Sequence, residues 1–146
     1  MWNMNRRFSI VCTVALAAAV LTGSEFAIAQ TKRQISRSQL DAMFSQMRAK
    51  TPWNVDGPML WGYFFLDSSR VKLESAASEL TSRGYRVVGI EPAGVGRYRL
   101  HVERIEVHSP ASLDSRNQEL YALADRLEIA SYDGMDVGPV GPPTRK

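Results

Sequence analysis

Eight consecutive residues, Met59-Leu60-Trp61-Gly62-Tyr63-Phe64-Phe65-Leu66, are apolar at odd and even positions alike. A strand alternates its side chains between two faces, so this run has no face to offer to water and belongs at the centre of a sheet. Its aromatic content suits a strand, and it falls far short of the ~20 apolar residues of a membrane-spanning helix. The neighbouring segments must supply its cover.

They do so in a definite order. Upstream, Leu40, Met43, Phe44 and Met47 fall at i, i+3, i+4 and i+7, one stripe of a helix with Ser38 as its expected cap. The Thr51-Pro52 step ends that helix, and residues 52–58 read as a loop. The Met and Phe stripe is expected to pack on the protein's own sheet rather than on a partner. After the aromatic strand, Asp67 and Ser68 can cap a second helix with Val71, Leu73, Ala76, Ala77 and Leu80 inward and Lys72, Glu79 and Arg83 outward. Gly84 stops it. Residues 85–90 form the next strand, closed by Pro92, Gly94 and Gly96 as a hairpin connection.

Residues 97–107 form a third strand with Tyr98, Leu100 and Val102 on one face and Arg97, Arg99, His101 and Glu103 on the other. Ile105 and Val107 break this parity, which predicts a bulge near Arg104. Ser109-Pro110 opens the last helix as N-cap and first turn, with Leu113, Leu120, Leu123, Ala124 and Leu127 inward. Residues 131–137 make a short fourth strand, and the Pro/Gly-rich residues 138–146 are expected to be disordered. The order β, α, β, β, α, β, with right-handed crossovers, predicts an α+β, ferredoxin-like domain over residues 59–137. It would have a four-stranded antiparallel sheet, two helices on one face and an extra N-terminal helix. That extra helix is expected to lie across the other face, where one of the first strand's aromatic sets would otherwise be exposed.

The N-terminus carries an address. Arg6 and Arg7 precede an apolar run of residues 8–21, and Ala27-Ile28-Ala29 places small residues before Gln30. This predicts a signal peptide over residues 1–29, cut after Ala29, and a periplasmic or secreted product. Residues 30–58 then form a polar lead, the amphipathic helix and a loop. Cys12 lies inside the leader without a lipoprotein site before it, so the processed chain is expected to have neither disulfide nor lipid anchor and to rely on its core. No later run approaches a transmembrane span. The formal net charge of +3 falls to about +2 after Ala29, too weak a bias to argue for nucleic acid.

Three stretches are characteristic together: Trp61-Gly62-Tyr63-Phe64-Phe65 followed by a helix start, residues 80–87 with the Gly84-Tyr85 step, and Leu120-Tyr121-Ala122-Leu123-Ala124 leading to Tyr132-Asp133-Gly134. In this order they resemble the family of the regulator of ribonuclease E activity B, over about eighty residues. Met135-Asp136 stands where the family pattern carries Trp-Glu. The resemblance implies a non-enzymatic, protein-binding domain related to an inhibitor of that endoribonuclease. For an exported chain it implies an unidentified envelope protein as partner, since the nuclease is cytoplasmic. Tyr132, Asp133 and Gly134 are read as a structural family motif. Asp133-Gly134 is a turn signal because Gly accepts φ > 0, and the Tyr132 ring covers the end of the core.

Chemistry points the same way. No cysteine follows Cys12, and no serine sits in a Gly-x-Ser-x-Gly frame, so an activated nucleophile is not expected. Seven residues apart on one strand, His101 and His108 should point to opposite faces unless the bulge intervenes, which argues against a shared metal or an acid/base pair. No Cys-x-x-Cys motif and no phosphate-binding glycine loop occur, and no cofactor is expected. RNA-recognition modules of this fold stack bases on sheet aromatics, here Trp61, Tyr63 and Phe65, but the basic-aromatic run on the third strand is absent. Arg97, Arg99, His101 and Glu103 are thus the candidate protein-binding residues. The alternative is a periplasmic peptidoglycan-binding domain of the sporulation-related repeat type, which shares the helix-glycine-strand-hairpin-strand run of residues 73–102.

Overall fold

The computed structural model describes residues 7–11 and 34–141. The expected cleavage site at Ala29, Cys12 and residues 142–146 lie outside them. The described chain runs β1 (Phe8–Val11), α1 (Arg37–Lys50), β2 (Met59–Asp67), α2 (Arg70–Ser82), β3 (Arg86–Pro92), β4 (Tyr98–Glu106), α3 (Pro110–Arg126) and β5 (Ser131–Gly138). The aromatic run is the central strand: β2 is hydrogen-bonded to β4 on one side and β5 on the other. The sheet has the order β1-β5-β2-β4-β3 and every pairing is antiparallel.

The protein is thus α+β, but it is not the four-stranded ferredoxin-like domain expected, since its sheet has five strands. The extra strand comes from within the expected leader, from the start of its apolar run, whose Phe8 and Ile10 pack against the core at the outer edge of β5. A second correction concerns α1. It does not cross the opposite face of the sheet but lies on the same face as the other helices. Phe44 stacks on Trp61 with ring centroids 5.9 Å apart, and the Ile35 N–H donates to the Tyr121 hydroxyl of α3 at 2.9 Å. The physical reason is alternation within β2. Trp61, Tyr63 and Phe65 point one way and are fully buried beneath the helices, so α1's own stripe of Leu40, Met43, Phe44 and Met47 finds its apolar partner there.

Helix boundaries follow local chemistry. Ser36, not Ser38, caps α1, in a capping box with Gln39. Ser69 caps α2, while the Asp67 carboxylate accepts the Ser69 N–H at 2.6 Å and the Ala130 N–H at 2.7 Å, tying the start of α2 to the entry of β5. Ser109 and Pro110 open α3 as predicted. Of the expected inward residues of α2, Val71 is instead exposed.

The bulges fall elsewhere than expected. The β2 to β4 register is continuous from Met59↔Glu106 to Asp67↔Tyr98, so there is none at Arg104. Arg104 stays on the helix side, its guanidinium 5.2 Å from the centre of the Tyr85 ring, and Ile105 stands outward on the other face. One irregularity lies in β3 between Val87 and Gly89. The other lies in β5, where Phe64 faces Gly134 but Phe65 faces Tyr132, leaving Asp133 as the extra residue. Tyr132-Asp133-Gly134 is therefore a bulge inside a strand rather than a turn. Gly134 has φ of +100°, the conformational freedom expected of that glycine.

Candidate protein-binding face

With all three helices on one side, the other side of the sheet carries the residues that directly oppose one another with outward parity: Leu60, Gly62, Phe64 and Leu66 of β2, Arg99, His101, Glu103 and Ile105 of β4, Arg86 of β3, and Asp136 of β5. Of the four residues singled out from sequence, Arg99, His101 and Glu103 lie side by side here, and Arg97 precedes β4 in the exposed turn after Gly96. They play different roles. Glu103 is only 5 % exposed at its side chain: Arg7 Nη1 donates to its Oε1 at 2.8 Å, and Arg86 donates to its Oε2. Burial alone would raise the Glu103 carboxyl. The hydrogen bonds and charges of Arg7 and Arg86 outweigh that and hold it below the usual carboxylate range. Glu103 is thus already paired, leaving the arginines, the histidine and the apolar side chains as the contact surface.

The outward strip of Arg99, Phe64 and His101 is stacked. The Phe64 and His101 rings lie 4.5 Å apart at 27°, and the Arg99 guanidinium is 5.2 Å from the Phe64 ring centre. Burial lowers the His101 pKa, and Arg7, Arg99 and Arg86 push it the same way against the pull of Glu103, so the ring favours its neutral form. Asp133, the bulged residue, feels Arg99 and Arg97, though burial still raises its carboxyl. Ile105, 55 % exposed, continues the strip with Leu60 opposite it. A cationic and aromatic strip bordered by the exposed Ile105 and the half-buried Leu60 has the composition of protein interfaces, where Arg and aromatic side chains are enriched.

Residues outside the predicted set complete the face. Asp136 lies across Gly62 from Glu103 and meets Arg7 Nη2 at 3.0 Å. Gly62 is a steric necessity here, since a Cβ would fall 2.2 Å from Asp136 Oδ1 and 2.7 Å from His101 Nε2. A lone glycine among large aromatics in a strand signals such a close approach, and that signal was present in Trp61-Gly62-Tyr63. Phe64 and Asp136 could have been found from strand parity once the bulge at Asp133 is allowed for. Arg7 could not, because its segment reads as a leader.

The helix side carries a separate polar cluster. Tyr63 Oη donates to Glu106 Oε2 at 2.7 Å, His108 Nε2 lies 3.1 Å from the same oxygen, and Arg116 donates to Oε1 at 2.6 Å. Burial would raise Glu106, but its hydrogen bonds from His108, Tyr63 and Arg116 bring its pKa down to about 2. His108 Nδ1 is 2.9 Å from Ser112 Oγ at the start of α3. This cluster pins α3 to β4, and it leaves His101 and His108 on opposite faces, as strand parity requires once no bulge intervenes at Arg104. Trp61, Tyr63 and Phe65 are at most 1 % exposed, so none can stack on a base. Among the described residues, no group of three or more His, Cys, Asp or Glu is placed to hold a metal ion, and no helix is long and apolar enough to cross a membrane.

Comparison with curated proteins finds no match. The family model described as regulator of ribonuclease activity B matches residues 38–137, from the first turn of α1 to the end of β5. That match spans well over half of the 146 residues, including the Trp61-Gly62 step, the outward strip of β4 and the Tyr132-Asp133-Gly134 bulge. The chain belongs to the regulator of ribonuclease activity B family.

Proposed function

We propose that this protein is a non-enzymatic regulator that acts by binding another protein through the open face of its sheet, with Arg97, Arg99, Phe64, His101 and Ile105 as the contact surface. The single observation that carries the reading is that the helices are all committed to one face. The other face is left with exposed cations and apolar side chains around a buried, already neutralised carboxylate. The family match supports a regulatory role of the ribonuclease-inhibitor kind. The leader pattern of residues 1–29 supports export and an envelope partner, whereas the pairing of residues 8–11 with β5 supports a chain that keeps them, and fractionation of the host with N-terminal sequencing of the product decides between the two. A chain starting at Gln30 outside the cytoplasm supports an envelope partner, whereas a cytoplasmic chain retaining Met1 makes a ribonuclease the partner.

Arg97→Glu combined with Arg99→Glu tests the surface. Both side chains are exposed, so the double variant should keep its thermal midpoint within a few degrees while capture of the partner falls at least tenfold. Capture unchanged by the double charge reversal would remove this face from the account.

A further inference from the structure

The outer edge of β5 is closed by a strand with unusual credentials: β1 belongs to the segment that the sequence marks as a leader, and it does more than pair its backbone. Phe8, Ser9, Ile10 and Val11 oppose Val137, Asp136, Met135 and Gly134. Phe8 meets the Trp53 ring edge-on at 6.0 Å, and both Phe8 and Ile10 pack against the core. Arg7, just before the strand, reaches over the open face and joins two carboxylates of different strands, Glu103 at 2.8 Å and Asp136 at 3.0 Å. Its Nη2 also lies 3.4 Å from the Leu60 carbonyl oxygen.

We propose that this edge of β5 is a strand-docking site for an extended segment of a partner protein, filled here in cis by residues 7–11. The preferred occupant carries an arginine followed by apolar residues one and three positions later. The inference deepens the protein-binding reading and rests on it.

The argument is one of charge and pairing together. Glu103 and Asp136 are 5 % and 12 % exposed at their side chains. If residues 7–11 are displaced, or removed by cleavage after Ala29, Asp136 loses its ion pair with Arg7, Glu103 keeps only Arg86 and the nearby His101 ring, and β5 exposes a row of unpaired backbone groups. An incoming strand restores the ladder for any sequence, but only one with a guanidinium at the Arg7 position restores the ion pairs. The apolar positions reproduce Phe8 and Ile10. Main-chain bonds supply affinity and alternate side chains supply selectivity, the physics of strand addition. Four paired residues make a modest attachment, so a tethered strand of this length is exchangeable. Two buried carboxylates bridged by one arginine distinguish this edge from that of β3, whose outward residues are exposed.

A labelled peptide with the sequence of residues 4–11 titrated into the full chain tests this by fluorescence anisotropy. In a Ser9→Pro, Ile10→Pro variant the chain's own strand is disabled, because successive amides point to opposite edges and one of the two prolines must remove a ladder donor. The peptide should bind this variant at least tenfold more tightly than the parent chain, and exchanging the peptide's arginine corresponding to Arg7 for glutamate should weaken it at least tenfold. Equal affinity for both chains, no binding to the variant, or indifference to the arginine would each overturn the proposal. Should the double proline variant not fold, Arg7→Glu in the full chain serves instead, and amide exchange at residues 134–137 should quicken in it and slow again on adding peptide. Unchanged exchange overturns the proposal. Arg97→Glu with Arg99→Glu should leave peptide binding intact, so failure of the open-face reading and failure of the edge are seen separately.

Discussion

At the scale of single residues, adjacent side chains in β2 have opposite fates. Phe65 is wholly buried beneath the helices with its ring 5.2 Å from Tyr132, whereas Phe64 stands on the open face against His101 and Arg99. Phe65→Ala should therefore cost about 3 to 5 kcal/mol in chemical denaturation, as core aromatic truncations do, and Phe64→Ala should cost no more than about half as much. Equal losses would mean that the open face is covered. The inward set was ambiguous from sequence because the run is apolar at both parities. Only the commitment of all three helices to the Trp61 side decides it. Gly62 was legible in principle, since only a missing Cβ lets the Asp136 carboxylate and the His101 ring approach so closely. Its partners come from β4 and β5, and strand neighbours are not written in local pattern.

At the scale of elements, local rules served best where the determinant was local. Ser109-Pro110 at the start of α3, Gly84 with φ of +87° after α2, and the buried stripe of α1 all follow from residues within one turn of their effect. The bulge was misplaced because outward Ile105 looked like a parity error, while Arg104 is held inward by the Tyr85 ring and Glu106. The cluster around Glu106 has a consequence for pH. Its folded pKa of about 2 lies below the ordinary 4.5, so its stabilising contribution is complete above pH 4.5 and is lost as pH falls from there towards 2. That loss should be on the order of 3 kcal/mol by the size of the shift. Denaturation midpoints of the parent and Glu106→Gln proteins should differ most at neutral pH and converge near pH 2. A gap that stays constant with pH would show that Glu106 has no special partnership with Tyr63, His108 and Arg116.

At the scale of the whole molecule, the chain divides its labour between two faces of one sheet. Three helices and the inward aromatics make the core on one side. On the other, cations and aliphatics surround the two carboxylates bridged by Arg7, and an edge strand is recruited from the N-terminus. The order of helices and strands from residue 37 onward was readable from periodicity. The fifth strand was not, because an apolar run after two arginines satisfies the pattern of a leader as well as that of an edge strand. The central claim is that the open face, rather than the helical face, meets the partner. A photo-crosslinking residue placed in the living host at Arg99 or Ile105, and for comparison at Ser75 on α2 or Gln118 on α3, tests it most directly, since all four positions are exposed. The account predicts adducts to another protein from Arg99 and Ile105 and none from the two helix positions. Adducts from Ser75 or Gln118 alone would contradict it.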